Sequence, residues 1–415
     1  MSRPAERPSR SLLTLLVAAS SLGLARAAPL DPGAPLRRVV GPPRGAAPMS
    51  RVDAARSGRA PSSLPRAPRL LWRARVQGGL SHGIAVDERG AIVAASGLGQ
   101  LVQLSPGGVP EWSARLGPGV PLCAPVLTSD GTRVTVMSGP ALIGVWPDGR
   151  LRYRRALEVE DARPVASPLP LEDGSLSVAL GRVVVRIEPD GSLAAQARLS
   201  EPAATLLAHR GRVLVVGERG GVSELRAEST SVGLGSFGGP ITGGAALVAP
   251  DTLVAVVDRR RLVALELTSS RERILLDDAA GLRGPPALGA DGRLWVTTAD
   301  GFVVAVDRAG RETRRALVEP AARLPARGLP RLALEPPPLL VDAAGYAAIV
   351  RAAEDAALLG PDGSLRAAPE ASCPDPIAVE PSGPERMLVA CHSGLLMLVG
   401  GGAVPSPSRG SGAAQ

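Results

Sequence analysis

Lysine and asparagine are both missing from the 415 residues, and all 47 basic side chains are arginine. Without lysine there is no phosphate loop of the Walker type and no Schiff-base nucleophile. Without asparagine there is no kinase-type metal ligand and no N-glycosylation acceptor. A strongly GC-rich coding sequence explains arginine standing in for lysine throughout, and it changes how the net charge of +8 reads. A nucleic-acid surface clusters its cations on one face and interleaves rings for stacking. Here arginine is scattered, the one tight run is Arg259-Arg260-Arg261, and aromatics make up 2% of the chain. No nucleic-acid partner is expected. The scarcity of rings also dictates a core of Val, Leu, Ile and Ala, which the 45% hydrophobic content can supply.

Long hydrophobic runs are lacking beyond one, Leu12 to Leu24, preceded by Arg3, Arg7 and Arg10 and followed by Ala25-Arg26-Ala27. A basic start, a short apolar run and small residues at A-x-A spacing read as a signal peptide over 1–27, cleaved after Ala27. The run is shorter than the ~20 residues a membrane helix needs, and no cysteine follows it to carry a lipid. The mature chain is expected to have no membrane span and to be periplasmic or secreted. Residues 28–68, rich in Pro, Ala, Arg, Gly and Ser without periodicity, read as a disordered linker, and 403–415 as a disordered tail. The folded domain is placed at 69–402.

What is present there is a repeat. In the clearest copy, Pro285 to Leu317, short apolar runs are separated by Ala290-Asp291-Gly292, Ala299-Asp300-Gly301 and Arg308-Ala309-Gly310. Asp-Gly between apolar runs is a hairpin signal, because glycine takes positive φ without steric cost. The first turn recurs at Gly90, Gly131, Gly174, Gly211, Asp251, Gly292, Gly345 and Gly383. A spacing of roughly 40 residues with four strands per unit is that of a propeller blade. The longest interval, before Gly345, holds a Pro- and Arg-rich insertion at about 319–336. Opening strands begin with small residues or proline (Ala124-Pro125, Ser167-Pro168, Pro285-Pro286, Pro376), as suits an innermost strand whose free edge needs no N–H.

The last repeat has three strands only. The segment Leu71-Trp72-Arg73-Ala74-Arg75-Val76 resembles the fourth strands Glu111-Trp112-Ser113-Ala114-Arg115-Leu116 and Arg152-Tyr153-Arg154-Arg155-Ala156-Leu157. It is therefore predicted to complete the final blade and seal the ring, which removes the open sheet edges. The expected fold is an all-β, eight-bladed β-propeller of four-stranded antiparallel blades. Seven blades is the alternative, since the repeat Leu206 to Val232 is degenerate.

A small or Pro-led strand, then DG-x-L-x-V, then a Gly-led strand and an aromatic-led strand resembles the PQQ-like β-propeller repeat over about Leu70 to Gly400. That family holds quinoprotein dehydrogenases and non-catalytic scaffolds such as an outer-membrane assembly factor. Its tryptophan-docking motif is mostly lost here, with four Trp in the chain. The dehydrogenases imply a quinone held by a neighbouring-cysteine disulfide, a Trp floor and a calcium site with Asn or Glu. This chain has neither adjacent cysteines nor asparagine. Lactonase or lyase propellers imply an axial metal on Glu, Asn and Asp, and no clustered oxygen set is visible. No catalytic residue, cofactor or metal ligand is therefore assigned.

Three motifs carry weaker signals. Gly79-Leu80-Ser81-His82-Gly83 fits G-x-S-x-G, but a strand rather than a helix is expected to follow. Gly233-Leu234-Gly235-Ser236-Phe237-Gly238 fits G-x-G-x-x-G without a βαβ unit and reads as a blade-joining loop. His82, His209 and His392 fall in turns of different repeats, without zinc spacing. Cys373 and Cys391 sit symmetrically about a hairpin turn centred on Ser382, which makes them cross-strand neighbours and an expected disulfide in an oxidising compartment. Cys123 is expected to be free and buried. The functional expectation is an exported, monomeric, non-catalytic propeller acting as a binding or scaffold module in the cell envelope, its partner a protein, peptide or polysaccharide. The alternative is an envelope enzyme working in the axial funnel, dependent on PQQ or on a metal.

Overall fold

The computed structural model describes residues 41–158, 166–226, 230–318, 339–351 and 355–401. Cleavage after Ala27, the insertion at about 319–336 and the tail at 403–415 lie outside the described residues. Contacts divide the chain into Met1–Pro35 and Leu36–Gln415, and every described strand belongs to the second unit.

The described residues contain strands and turns, arranged as eight four-stranded antiparallel sheets. The innermost strands of blades 1 to 8 are Ala85–Val86, Val126–Leu127, Leu169–Pro170, Ala203–His209, Ile241–Ala249, Leu282–Leu288, Leu340–Val341 and Pro376–Pro381. In most blades the second and third strands are largely apolar, because neighbouring blades cover both faces. Leu176–Leu180 and Ala141–Val145 are buried at every residue. Fourth strands face solvent, and their burial falls accordingly, as in Leu151–Ala156. The degenerate stretch forms a complete fourth blade through Ala203–His209, Arg212–Gly217, Gly221–Arg226 and Thr230–Ser236, so eight blades is the count.

The Asp-Gly turns work as their chemistry dictates. In blade 3 the Asp190 carboxylate accepts the Ser192 backbone N–H at 2.8 Å while Gly191 takes φ 83°. The N-terminal strand closes the ring. Arg69–Arg75 pairs antiparallel with Leu395–Gly400, with Arg75 opposite Leu395 and Arg73 opposite Met397.

The few rings stand at blade junctions. Trp72 of blade 8 lies on Gly108 of blade 1, Trp112 on Gly149 of blade 2, and Tyr153 on Gly191 of blade 3. A Cβ at those glycines would come within 2.7, 2.8 and 2.6 Å of the ring. The Trp72 indole N–H donates to Pro106 O at 3.0 Å and that of Trp112 to Pro147 O at 2.9 Å. Aromatic docking, which the sequence suggested was mostly lost, thus persists at three consecutive junctions. Between blades 6 and 7 the Arg314 guanidinium takes the role, donating to Gly360 O at 2.7 Å.

Residues 41–68 overturn, for that stretch, the expectation of a disordered linker over 28–68, whose first part, 28–40, lies outside the described residues. They form a strap across the centre of the ring that reaches every blade. Ala47 exchanges backbone bonds with Val86, Pro48 O accepts from Leu127, and Gly41 donates to Glu172 O. Ala54, Ala55, Ser57 and Gly58 carbonyls accept from Ala208, Leu247, Leu288 and Val341, and Ser63 O accepts from Glu385. The physical reason is that the innermost strands have a free edge, and buried N–H groups there need acceptors. A strap of small residues and arginine fits the crowded axis and supplies them. Met49 and Leu64 are buried within it.

Candidate functional site: the axial channel

In many ring-shaped folds the axis is where ligands bind, so the strap decides what this axis can do. It lies at the end of the channel where the innermost strands finish, and its order is won against local strain. Arg51, Val52 and Arg56 take φ of 61°, 76° and 53°. Non-glycine residues there cost about 1–3 kcal/mol each and persist only when surroundings over-determine them.

The surroundings are carbonyls. Arg56 Nε donates to Leu206 O at 3.2 Å, Nη1 to Ser50 O at 2.6 Å, and Nη2 to Ser167 O and Pro168 O at 3.1 Å. Arg51 Nη1 donates to Ala245 O at 3.0 Å and Nη2 to Pro286 O. Two guanidiniums thereby bind blades 3, 4, 5 and 6 together from the centre, using the planar fork that lysine lacks. Asp53 ties the strap to itself, accepting from the Ser57 N–H at 2.9 Å and hydroxyl at 2.5 Å. Burial pulls the pKa of both arginines down. Glu380, from the innermost strand of blade 8, is buried beside them. Desolvation pushes its carboxyl up to about 8, against the opposing pull of the Arg51 N–H and both guanidiniums. Its Oε2 has no hydrogen-bond partner among the described residues, which fits a protonated acid at neutral pH.

At the opposite end, where the innermost strands begin, a cavity of about 280 Å³ remains. Its lining comprises Ser50 of the strap together with Ser81, His82, Gly83, Ala124, Ser167, Pro376 and Ile377. No Asp or Glu is among them. His82 is half-buried, and desolvation lowers its pKa, aided by nearby His392 and opposed by a hydrogen bond to the Pro121 backbone. His392 stands near enough to bear on the charge of His82, a proximity the sequence spacing did not reveal. The G-x-S-x-G stretch runs directly into Ala85–Val86, so Ser81 does not sit on a strand-turn-helix elbow. Gly233 to Ser236 of the G-x-G-x-x-G stretch lie in the outermost strand of blade 4, not in a joining loop. His209 lies apart, at the end of the blade 4 innermost strand.

Cys373 and Cys391 approach each other by a different geometry from the one the sequence implied. Cys391 pairs with Pro376, and the hairpin centres near Pro384 rather than Ser382. Cys373 reaches it from the segment just before the strand, with Cα atoms 5.9 Å apart and the sulfurs 2.09 Å apart. Asp375 stands beside the pair close enough to complete a metal-sized group of three. Sulfurs joined to each other have no thiolate to offer one. Cys123 is buried, and burial raises its thiol pKa to about 11.

The sequence model of the family described as outer membrane protein assembly factor BamB matches residues 64–272, half of the chain. The chain belongs to this family. No curated protein sequence matches it. Among solved structures, BamB from Moraxella catarrhalis is similar at 12% identity and TM-score 0.50, covering 81% of this chain and 99% of that one. Virginiamycin B lyase from Staphylococcus aureus is similar at 11% identity and TM-score 0.50, covering 80% and 99%. The computationally designed Ika8 protein is similar at 11% and TM-score 0.61, with the same coverage. These likenesses are of fold. A fold shared by an assembly factor, a lyase and a designed protein does not select a function. Membership of the BamB family points to a binding or scaffold module.

Proposed function

We propose that this BamB-family chain is an exported propeller that works as a monomeric, non-catalytic scaffold in the cell envelope, binding a protein partner through its outer surfaces. The observation that carries the reading is the occupied axis. Where an axial enzyme would hold substrate and metal, the strap places Arg51 and Arg56 among backbone carbonyls with Glu380 of blade 8 buried beside them, and the remaining mouth is lined without a carboxylate. The family description, an outer-membrane assembly factor, supports an envelope location and a protein partner. The basic, apolar and A-x-A sequence ending at Ala27 supports export, and an oxidising compartment is where a Cys373–Cys391 bond would last.

The test is site-specific photo-cross-linking in living cells, with the photoreactive residue at exposed Leu98, Val109 or Leu151 and, as control, at buried Val185. The expected result is a mature chain beginning at Ala28 in the envelope fraction, cross-linked to one envelope protein from an exposed position and not from the control. A cytoplasmic chain, or one that purifies with stoichiometric quinone or metal and turns over a substrate, would overturn it.

A further inference from the structure

The junction between blades 3 and 4 lacks the plug that fills those between blades 1 and 2, 2 and 3, and 6 and 7. The residue facing the penultimate position of the third strand is Trp112 in blade 1, Tyr153 in blade 2 and Arg314 in blade 6, each opposite Gln103, Gly144 and Ala305. In blade 3 it is Ala195, opposite Arg186. A cavity of about 490 Å³ opens there between the two blades, within the usual size of ligand pockets. Its walls include Val184, Ala195, Ala197, Val213 and Leu225. At one side lies His209, whose Nε2 is buried without a hydrogen-bond partner among the described residues. At two of the filled junctions the indole N–H donates to a carbonyl in the turn between the third and fourth strands of the next blade. On the rim, Arg210 and Arg226 are exposed on the blade 4 side and Glu172 on the blade 3 side.

We propose that this junction is the docking slot for an aromatic side chain, Trp or Tyr, presented with adjacent carboxylates by a partner protein. No aromatic side chain of this chain fills it. Its 4 Trp, 2 Tyr and 2 Phe are all among the described residues, and none lines the cavity. The ring would pack between the blades against Val184, Ala195, Val213 and Leu225, its polar edge would pair with His209 Nε2, and the carboxylates would meet Arg210 and Arg226. Aromatic anchors in fully desolvated pockets dominate binding energy elsewhere. The inference rests on the scaffold reading and names the partner's chemistry.

The test uses the whole chain and fluorescently labelled peptides of sequence Asp-Glu-Trp-Asp-Glu, with Trp replaced by Ala as one control and both flanks replaced by Gly-Ser as another. The expected result in anisotropy is saturable binding of the first peptide, weakened at least tenfold by the Ala replacement. Ala195→Trp should fill the slot, abolish binding and raise Tm by a few degrees. Arg226→Glu, on the surface and harmless to folding, should weaken the acidic peptide and not the neutral one. Equal binding of the Trp and Ala peptides, or unchanged binding by Ala195→Trp folded at wild-type Tm or above, would overturn the slot. If both wild type and Ala195→Trp still cross-link to the same envelope protein, the slot falls and the scaffold reading stands. If neither cross-links to any, the scaffold reading falls with it.

Discussion

Each blade satisfies its own backbone through hairpins, whereas residues 41–64 spend theirs chiefly on the eight blades around them. The blades are rich in Val, Leu and Ile and their order is repeated in the sequence. The strap is rich in Ala, Pro, Ser and Arg, repeats nothing, and holds three non-glycine residues in the left-handed region. Order in the ring is thus local and periodic, and order in the strap is borrowed from contacts distant in sequence. A segment of low hydrophobicity can be fixed when it closes the hydrogen bonds of something else.

Removing the strap breaks that comparison most severely. A chain lacking residues 41–66 should lose on the order of 5 kcal/mol or more, since buried Met49 and Leu64 are lost and inner-strand N–H groups lose acceptors. Thermal unfolding followed by circular dichroism would show it, and an unchanged Tm would mean the ring is self-sufficient. Arg56→Ala should cost about 3 kcal/mol, because four carbonyls lose a charged donor. The exposed pair Arg150–Asp148 offers the contrast: Arg150→Ala should cost under ~0.5 kcal/mol in the same denaturant titration. Within the ring, Trp72→Ala should cost about 2 kcal/mol, at the low side of ring deletions because the indole is half-buried.

A separate effect is one of pH. Glu380 keeps its proton in the folded chain up to about 8, against 4.5 in the unfolded chain. Its contribution to stability is therefore fully present below about 4.5 and is lost as pH rises through about 8. Glu380→Gln should flatten the stability profile over that window, and a mutant profile that declines as steeply as the wild type would exclude Glu380 as its cause.

Much of the ring was legible because propeller blades announce themselves twice, through Asp-Gly turns and through period. The closing strand was found from the likeness of Trp72 to Trp112 and Tyr153, and the pairing of Arg75 with Leu395 places it there. The strap was not legible. No pattern within Gly41 to Pro68 signals burial, and its arginines read as solvated charge until Arg51 and Arg56 are seen among carbonyls from four blades. The disulfide argument from hairpin symmetry failed in its reasoning because the strands pair about Pro384 rather than Ser382, so Cys391 faces Pro376 and Cys373 lies before the strand. The open junction between blades 3 and 4 had a trace in the sequence, Ala195 where the two preceding blades carry Trp112 and Tyr153. That trace gains meaning once the cavity beside it is seen.

Hydrogen exchange read by mass spectrometry over residues 41–66 tests the occupied axis most directly. With the strap seated across the axis, peptides covering Ala47 to Leu64 should exchange orders of magnitude more slowly than free chain, close to the rate of the inner strands they touch. Exchange of those peptides at the rate of unstructured chain, with the blades still protected, would contradict it.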